Sequence, residues 1–168
     1  MRKIILVLSV LFLIASSLKA QEEGTYKSYP QLDPYVGTWQ WQSKDSVFTI
    51  TLVKTVSTFE GNSADILFGW HELSVGKQVI QSTMHLKSDK YDNTRENQSI
   101  SAFWDFQNNN YVLLGYFKDV ATGLTARGGS MVLKNNNKRL VMVVYTSSFT
   151  RDLSKYSLPT NITFKKIR

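Results

Sequence analysis

From Val36 to the C-terminus, apolar side chains recur at every second residue, and that period suits one kind of element. Alternate residues face one side of a β-strand, whereas a helix repeats near 3.6. In VFTITLVK (47–54), Phe48, Ile50 and Leu52 share one face, with Thr49 and Thr51 on the other. In ADILFGWHEL (64–73), Ile66, Phe68 and Trp70 share a face, and Ile100, Ala102, Trp104 and Phe106 do so further on. Residues that strands favour fill these runs, and Asn, Gly, Asp or Ser marks nearly every break. The pattern predicts strands at 36–42, 46–55, 65–73, 78–86, 99–106, 111–118, 125–134, 139–147 and 161–167.

The turns QSKD (42–45), QNNN (107–110) and KNNNK (134–138) are too short for the crossover that parallel strands need, so neighbours pair antiparallel. Gly128-Gly129 inside a run predicts a bulge. The stretch KSDKYDNTRENQ (87–98) lacks the period and reads as a surface excursion. Only TRDLSKYSL (150–158), before Pro159, has room for a helical turn or two. About 8–10 antiparallel strands with little helix make the fold all-β, an antiparallel barrel or a sandwich. Tyr111–Phe117 and Leu140–Tyr145 are apolar on both faces, so their outer side needs a cover. The leader, the 150–158 segment and another subunit are the candidates.

The 168 residues suit one domain behind an address. MRKIILVLSVLFLIASSLKA has a basic start, an apolar run and a small-residue end, the pattern of a secretory signal peptide. Its apolar run, Ile4–Ala15, falls short of the roughly 20 residues of a membrane span, so no stable span is expected after cleavage. Cleavage is expected after Ala20, with Ser17 as the alternative. Residues 21–34, with Gly24, Pro30 and Pro34, read as an exposed leader, and 35–168 as a single barrel-like domain. The expected location is the periplasm or the extracellular space. Cysteine is absent, so the chain carries no lipoprotein anchor and no disulfide, and a packed core must hold it together. Loss of Arg2, Lys3 and Lys19 with the signal leaves 17 basic against 13 acidic side chains. The basic residues are scattered along the chain, at Lys54, Lys77, Lys87, Lys118, Lys134 and Arg151, and densest at Lys165-Lys166 and Lys138-Arg139. Nucleic-acid binding calls for a clustered patch, so none is expected.

Groups able to do chemistry are few. His71 and His85 are the two histidines; they lack a metal-binding spacing and read as surface or edge residues, so no metal and no cofactor is expected. Glu72 is the one acid on the face of Phe68 and Trp70. Buried there it would titrate high and mark a hydrolase; at the strand's rim it is a solvated carboxylate. No second acid, GxSxG, P-loop or GxGxxG accompanies it, so an enzyme is not expected. Trp39, Trp41, Phe48, Phe68, Trp70, Glu72 and Trp104 are the candidate lining of a cavity for a small apolar or amphipathic ligand. The alternative is a structural or interaction protein of the cell envelope, with a filled barrel, no ligand, and a protein partner or self-association at the doubly apolar strands. A barrel of about eight strands can do either.

The run LDPYVGTWQW (32–41) resembles the first strand of lipocalins and fatty-acid-binding proteins. The resemblance implies a calycin-like barrel with Gly37 at a close backbone approach and Trp39 closing one end. It also implies a cation–π partner from the last strand, Arg168 or Lys166 of NITFKKIR. From about Leu32 onward, the succession YVGTW, VFTITLVK, ADILFGWHEL and GKQVIQST (76–83) resembles a family of uncharacterised exported bacterial proteins, a domain of unknown function. Many of its members look like lipoproteins, from which this cysteine-free chain departs. The resemblance implies export and a β domain, and no activity.

Overall fold

A computed structural model describes residues 24–88, 96–107, 111–145 and 153–168. The expected signal peptide, the centre of the 87–98 excursion and most of the QNNN turn lie outside the described residues. The described residues form eleven strands: β1 (Tyr26–Lys27), β2 (Gly37–Ser43), β3 (Ser46–Phe59), β4 (Asn62–Val75), β5 (Gln78–Ser82), β6 (Ile100–Trp104), β7 (Val112–Lys118), β8 (Thr125–Ala126), β9 (Gly129–Lys134), β10 (Arg139–Val144) and β11 (Asn161–Lys166). Eight of them run in the order β4-β3-β2-β11-β10-β9-β7-β6, and β6 pairs back onto β4. Every contact around this ring is antiparallel, so the sheet is a closed barrel rather than a sandwich. β1, β5 and β8 add short pairings outside the ring.

Local chemistry explains the turns. Lys44, Asn135, Asn136 and Asn137 adopt positive φ, which asparagine tolerates well. The β3–β4 ribbon runs 14 residues a side, beyond the predicted limits of 55 and 65. Its turn is Glu60-Gly61, both at positive φ, a two-residue connection that suits the twist of a hairpin. The predicted 125–134 strand is two strands, separated at Arg127 and Gly128. The extra residue in the β6–β7 ladder is instead at Gly115, between Leu114 and Tyr116.

Both ends of the barrel are shut by chain outside the ring of strands. The leader is not exposed as a whole. A 3₁₀ turn, Pro30–Tyr35, buries Leu32 and Tyr35 in the core. The Tyr35 hydroxyl donates to the Met131 carbonyl across the barrel (3.3 Å). Asp65, itself buried, holds the approach: it accepts from Tyr26 Oη (2.7 Å), Ser28 Oγ (3.1 Å) and the Tyr29 amide (2.9 Å). The opposite end is closed by Tyr156 and Leu158, after a 3₁₀ turn at Leu153–Lys155. The Tyr156 hydroxyl donates to the Phe117 carbonyl.

The outer sides of β7 and β10 keep an apolar wall. Register sets Phe103 beside Leu113, and Val141 beside Val132. Leu113, Val132, Val141 and Val143 are half-buried, and Phe103 and Tyr145 are exposed. The leader and residues 156–158 close the ends and pack into the core, so they do not supply the cover expected for this wall.

Gly37 has φ +130°, and a Cβ there would lie 2.3 Å from the Arg168 carbonyl oxygen. Gly37→Ala should therefore destabilise the protein by about 1–3 kcal/mol, from strained backbone and a displaced C-terminus. A thermal melt checks this, and an unchanged midpoint would show that Gly37 and the Arg168 carbonyl do not meet.

Candidate functional site

The first place to look is the barrel interior. Ile50 and Leu52 of β3 point inward, and the β3–β4 register sets them opposite His71 and Gly69. Leu67, Gly69, His71 and Leu73 are therefore the inner side of β4. Of the expected cavity lining, Trp39, Trp41, Phe48 and Trp104 pack in or against the central core. Phe68, Trp70 and Glu72, expected to line the interior, lie on the outer face instead. Strand β4 is covered on both faces, so the aromatic side need not be the inside one. Phe68 and Trp70 form an edge-to-face pair (5.2 Å) in a second, outer layer, where Trp70 Nε1 donates to the Asn97 carbonyl (2.6 Å). Glu72, partly exposed, accepts from Ser82 Oγ (3.1 Å).

The inner side chains fill the space. Trp39, Phe48, Ile50, Leu52, Leu67, Ile100, Phe117, Met131, Leu140, Met142 and Phe164 are all 0% exposed. A side chain with no accessible area borders no void large enough for a water. Phe48 touches Phe164 (5.6 Å between ring centres) and Phe117 (6.2 Å), so the rings meet across the middle. These residues leave no internal pocket beside them for a ligand.

His71 is not a surface residue. It is wholly buried, edge-on to Phe48 (6.0 Å) and Phe117 (5.5 Å), at the end closed by Tyr156. Its hydrogen bonds can be oriented by elimination. Gln81 Oε1 accepts from the Val120 amide (3.1 Å), and an amide oxygen can only accept. His71 Nε2, 3.3 Å from that oxygen, is therefore the protonated ring nitrogen, and Nδ1 accepts from Ser99 Oγ (2.8 Å). Having given its proton, Ser99 accepts from Thr83 Oγ1 (2.9 Å). On the other side Gln81 Nε2 donates to Ser157 Oγ (2.9 Å), and Ser157 donates to the buried Asp119 carboxylate (2.8 Å). One directed chain thus runs Thr83, Ser99, His71, Gln81, Ser157, Asp119, tying β4, β5 and the segment after the 3₁₀ turn to the β7–β8 loop. Burial pushes the His71 pKa down to about 4, against the Gln81 bond and the Asp119 charge. Burial works against ionisation of Asp119 too, but donors from Ser157 and Thr122 outweigh it and hold the carboxyl below its ordinary range.

A serine hydroxyl donating to a histidine is the starting geometry of an activated nucleophile. Here Ser99 and His71 are both 0% exposed, so no substrate reaches them, and the chain acts as a polar clamp on the barrel end. The period-two pattern gave no sign of it. The signal was the Glu60-Gly61 turn, whose register puts His71 opposite Ile50. Among the described residues no group of three or more His, Cys, Asp or Glu is placed to hold a metal.

At the other end, Trp39 Nε1 donates to the Tyr35 carbonyl (2.8 Å). Lys166, not Arg168, covers the indole: its Nζ sits 5.0 Å from the ring centre and donates to the Pro34 carbonyl (2.9 Å). Arg168 instead offers its carbonyl to the Thr38 amide (3.0 Å).

Concavities lie on the outside of the described residues. One of about 510 Å³ sits at the tip of the β3–β4 ribbon, between Thr25, Lys27, Ser57 and Phe59. Another, about 400 Å³, lies over β2, β11 and β10 and is lined by Gln40, Trp41, Gln42, Arg139, Thr163, Lys165 and Ile167. No helix of the described residues is long and apolar enough to cross a membrane. The family model described as Family of unknown function (DUF6705) matches residues 1–167, and the chain belongs to that family. No curated protein and no solved structure matches it.

Proposed function

We propose that this member of an uncharacterised family is an exported, non-catalytic interaction protein, a filled barrel that works from its outer surface. The observation that carries the reading is the interior: eleven large inner side chains, from Trp39 to Phe164, have no accessible area, and chain closes both ends. An interior ligand would have to displace Phe48, Phe164 or Trp39 from the core, at a cost of several kcal/mol. The one acid once considered for catalysis, Glu72, stands on the outer face with a serine hydroxyl as its partner. The sole serine–histidine pair described is sealed. Export rests on the N-terminal sequence pattern.

The test is a titration with palmitate and with an anilinonaphthalene sulfonate probe, followed by tryptophan emission. No saturable change is expected. A stoichiometric quench that palmitate competes for would restore the carrier reading. Export is checked separately, by N-terminal sequencing of the protein made in a bacterial host. A product beginning at Gln21 is expected, and one that keeps Met1 would count against it.

A further inference from the structure

We propose that the outer wall over β10, β11 and β2 binds an anionic glycan, a chain of sugars that bear carboxylate or sulfate groups. The proposal rests on the outer-surface reading above and names its ligand class. In the β10–β11 ladder Arg139 stands directly opposite Lys165, and in the β10–β9 ladder it stands opposite Lys134. Three cations thus lie side by side on three neighbouring strands, with about 4.8 Å between strands. All three are exposed, and they face outward because Leu140 and Phe164, the next pair in the ladder, face the core.

This arrangement weakens the sheet. Like charges directly opposite each other in a ladder repel. Among the described residues none of the three has an ion pair. Along the same row the partners of Lys165 are Gln40, then Thr49, then Glu72, so the first carboxylate stands three strands away. Among the described residues no carboxylate pairs with this row, which leaves the place for an anion from outside.

The concavity beside the row describes the rest of the ligand. Its polar lining is two amides, a hydroxyl and two cations, with no acid. An arginine fork meets a carboxylate or sulfate with two hydrogen bonds. Gln40, Gln42 and Thr163 suit a ligand rich in hydroxyls. A bilayer is flat and rewards inserted apolar groups, whereas this surface is hollow and polar. Single-stranded nucleic acid wants several aromatics to stack its bases, and here there is one.

The experiment titrates the purified protein with an oligogalacturonate, a sulfated heparin tetrasaccharide, a neutral oligosaccharide of equal length, duplex DNA and phosphatidylglycerol vesicles. One or both charged oligosaccharides should bind, more weakly as salt rises, and the neutral one should not. Which of the two binds separates carboxylate from sulfate. Arg139→Gln with Lys165→Gln should lower the affinity at least tenfold. Lys77→Gln with Lys118→Gln makes the same change in net charge elsewhere and should leave it within twofold. The Arg139/Lys165 variant should melt no lower than the parent, since it relieves repulsion, so its loss of binding is not unfolding. Parent-like binding by that variant, an equal loss in the control, a lower melting point, or binding to DNA or vesicles without glycan would each overturn the proposal. None of those results touches the filled-barrel reading, which fails only if palmitate enters the interior.

Discussion

Trp39→Ala is expected to lower the stability of the protein by about 3–5 kcal/mol, the usual range for removing a large aromatic from a core. Trp39 is 0% exposed and closes the end of the barrel against Leu32 and Tyr35. Its removal opens a cavity, leaves the Tyr35 carbonyl without its indole donor, and takes away the ring under Lys166. These effects separate. Trp39→Phe keeps a ring and loses the hydrogen bond, and should cost about 1–2 kcal/mol beyond the change in shape. Lys166→Gln removes the cation and should cost about 1 kcal/mol. Denaturant titration reads all three. A Trp39→Ala loss below 1 kcal/mol would mean that the leader does not seat on the indole.

Acid should destabilise the protein through His71. The folded state keeps the ring neutral down to about pH 4, while an unfolded histidine takes its proton near 6.5. Between these values the unfolded chain holds more protons, so stability falls as pH drops from about 6.5 to about 4. The loss is on the order of 3 kcal/mol when complete, from the 1.36 kcal/mol that each pKa unit is worth. Above the window no penalty remains. Asp119 acts in the same direction but lower: its carboxyl is held below its ordinary value of 3.8, so its contribution is full above 3.8 and is lost below it, as pH falls through the lowered folded value. Unfolding titrations at pH 7.5, 5.5 and 4.5 should show the drop, and His71→Gln should flatten it between 6.5 and 4. The same point can be read on the parent protein by following the histidine C2–H resonances. A buried histidine titrating near 6.5 would sink the prediction.

The two predictions come from opposite ends of the barrel and from different degrees of legibility. Trp39 was readable: a Gly-Thr-Trp run after Pro34, with its Trp on the apolar side of a strand, is placed in the core by alternation alone. His71 was not. A lone histidine between Trp70 and Glu72 carries no local sign of burial, and with both faces of β4 covered the period cannot say which side is inner. Phe68 and Trp70 were assigned inward for the same reason and lie in the outer layer. The leader shows a third limit. Gly24, Pro30 and Pro34 do mark a segment outside the ring of strands, but only the closed barrel provides an open end that Leu32 and Tyr35 can fill.

The cations make the distinction sharpest. Along the chain Lys134 reads as scattered charge, and Arg139 and Lys165 belong to two separate basic pairs 26 positions apart. In the barrel they are neighbours. By itself the sequence determined the kind of element, the antiparallel pairing, the breaks and the all-β class, because these depend on residues within a turn or two of one another. Closure into a barrel, the filled interior and the cation row were decided only by the tertiary structure. They depend on the register between strands far apart in the chain, and a period of two within each strand carries no record of that register.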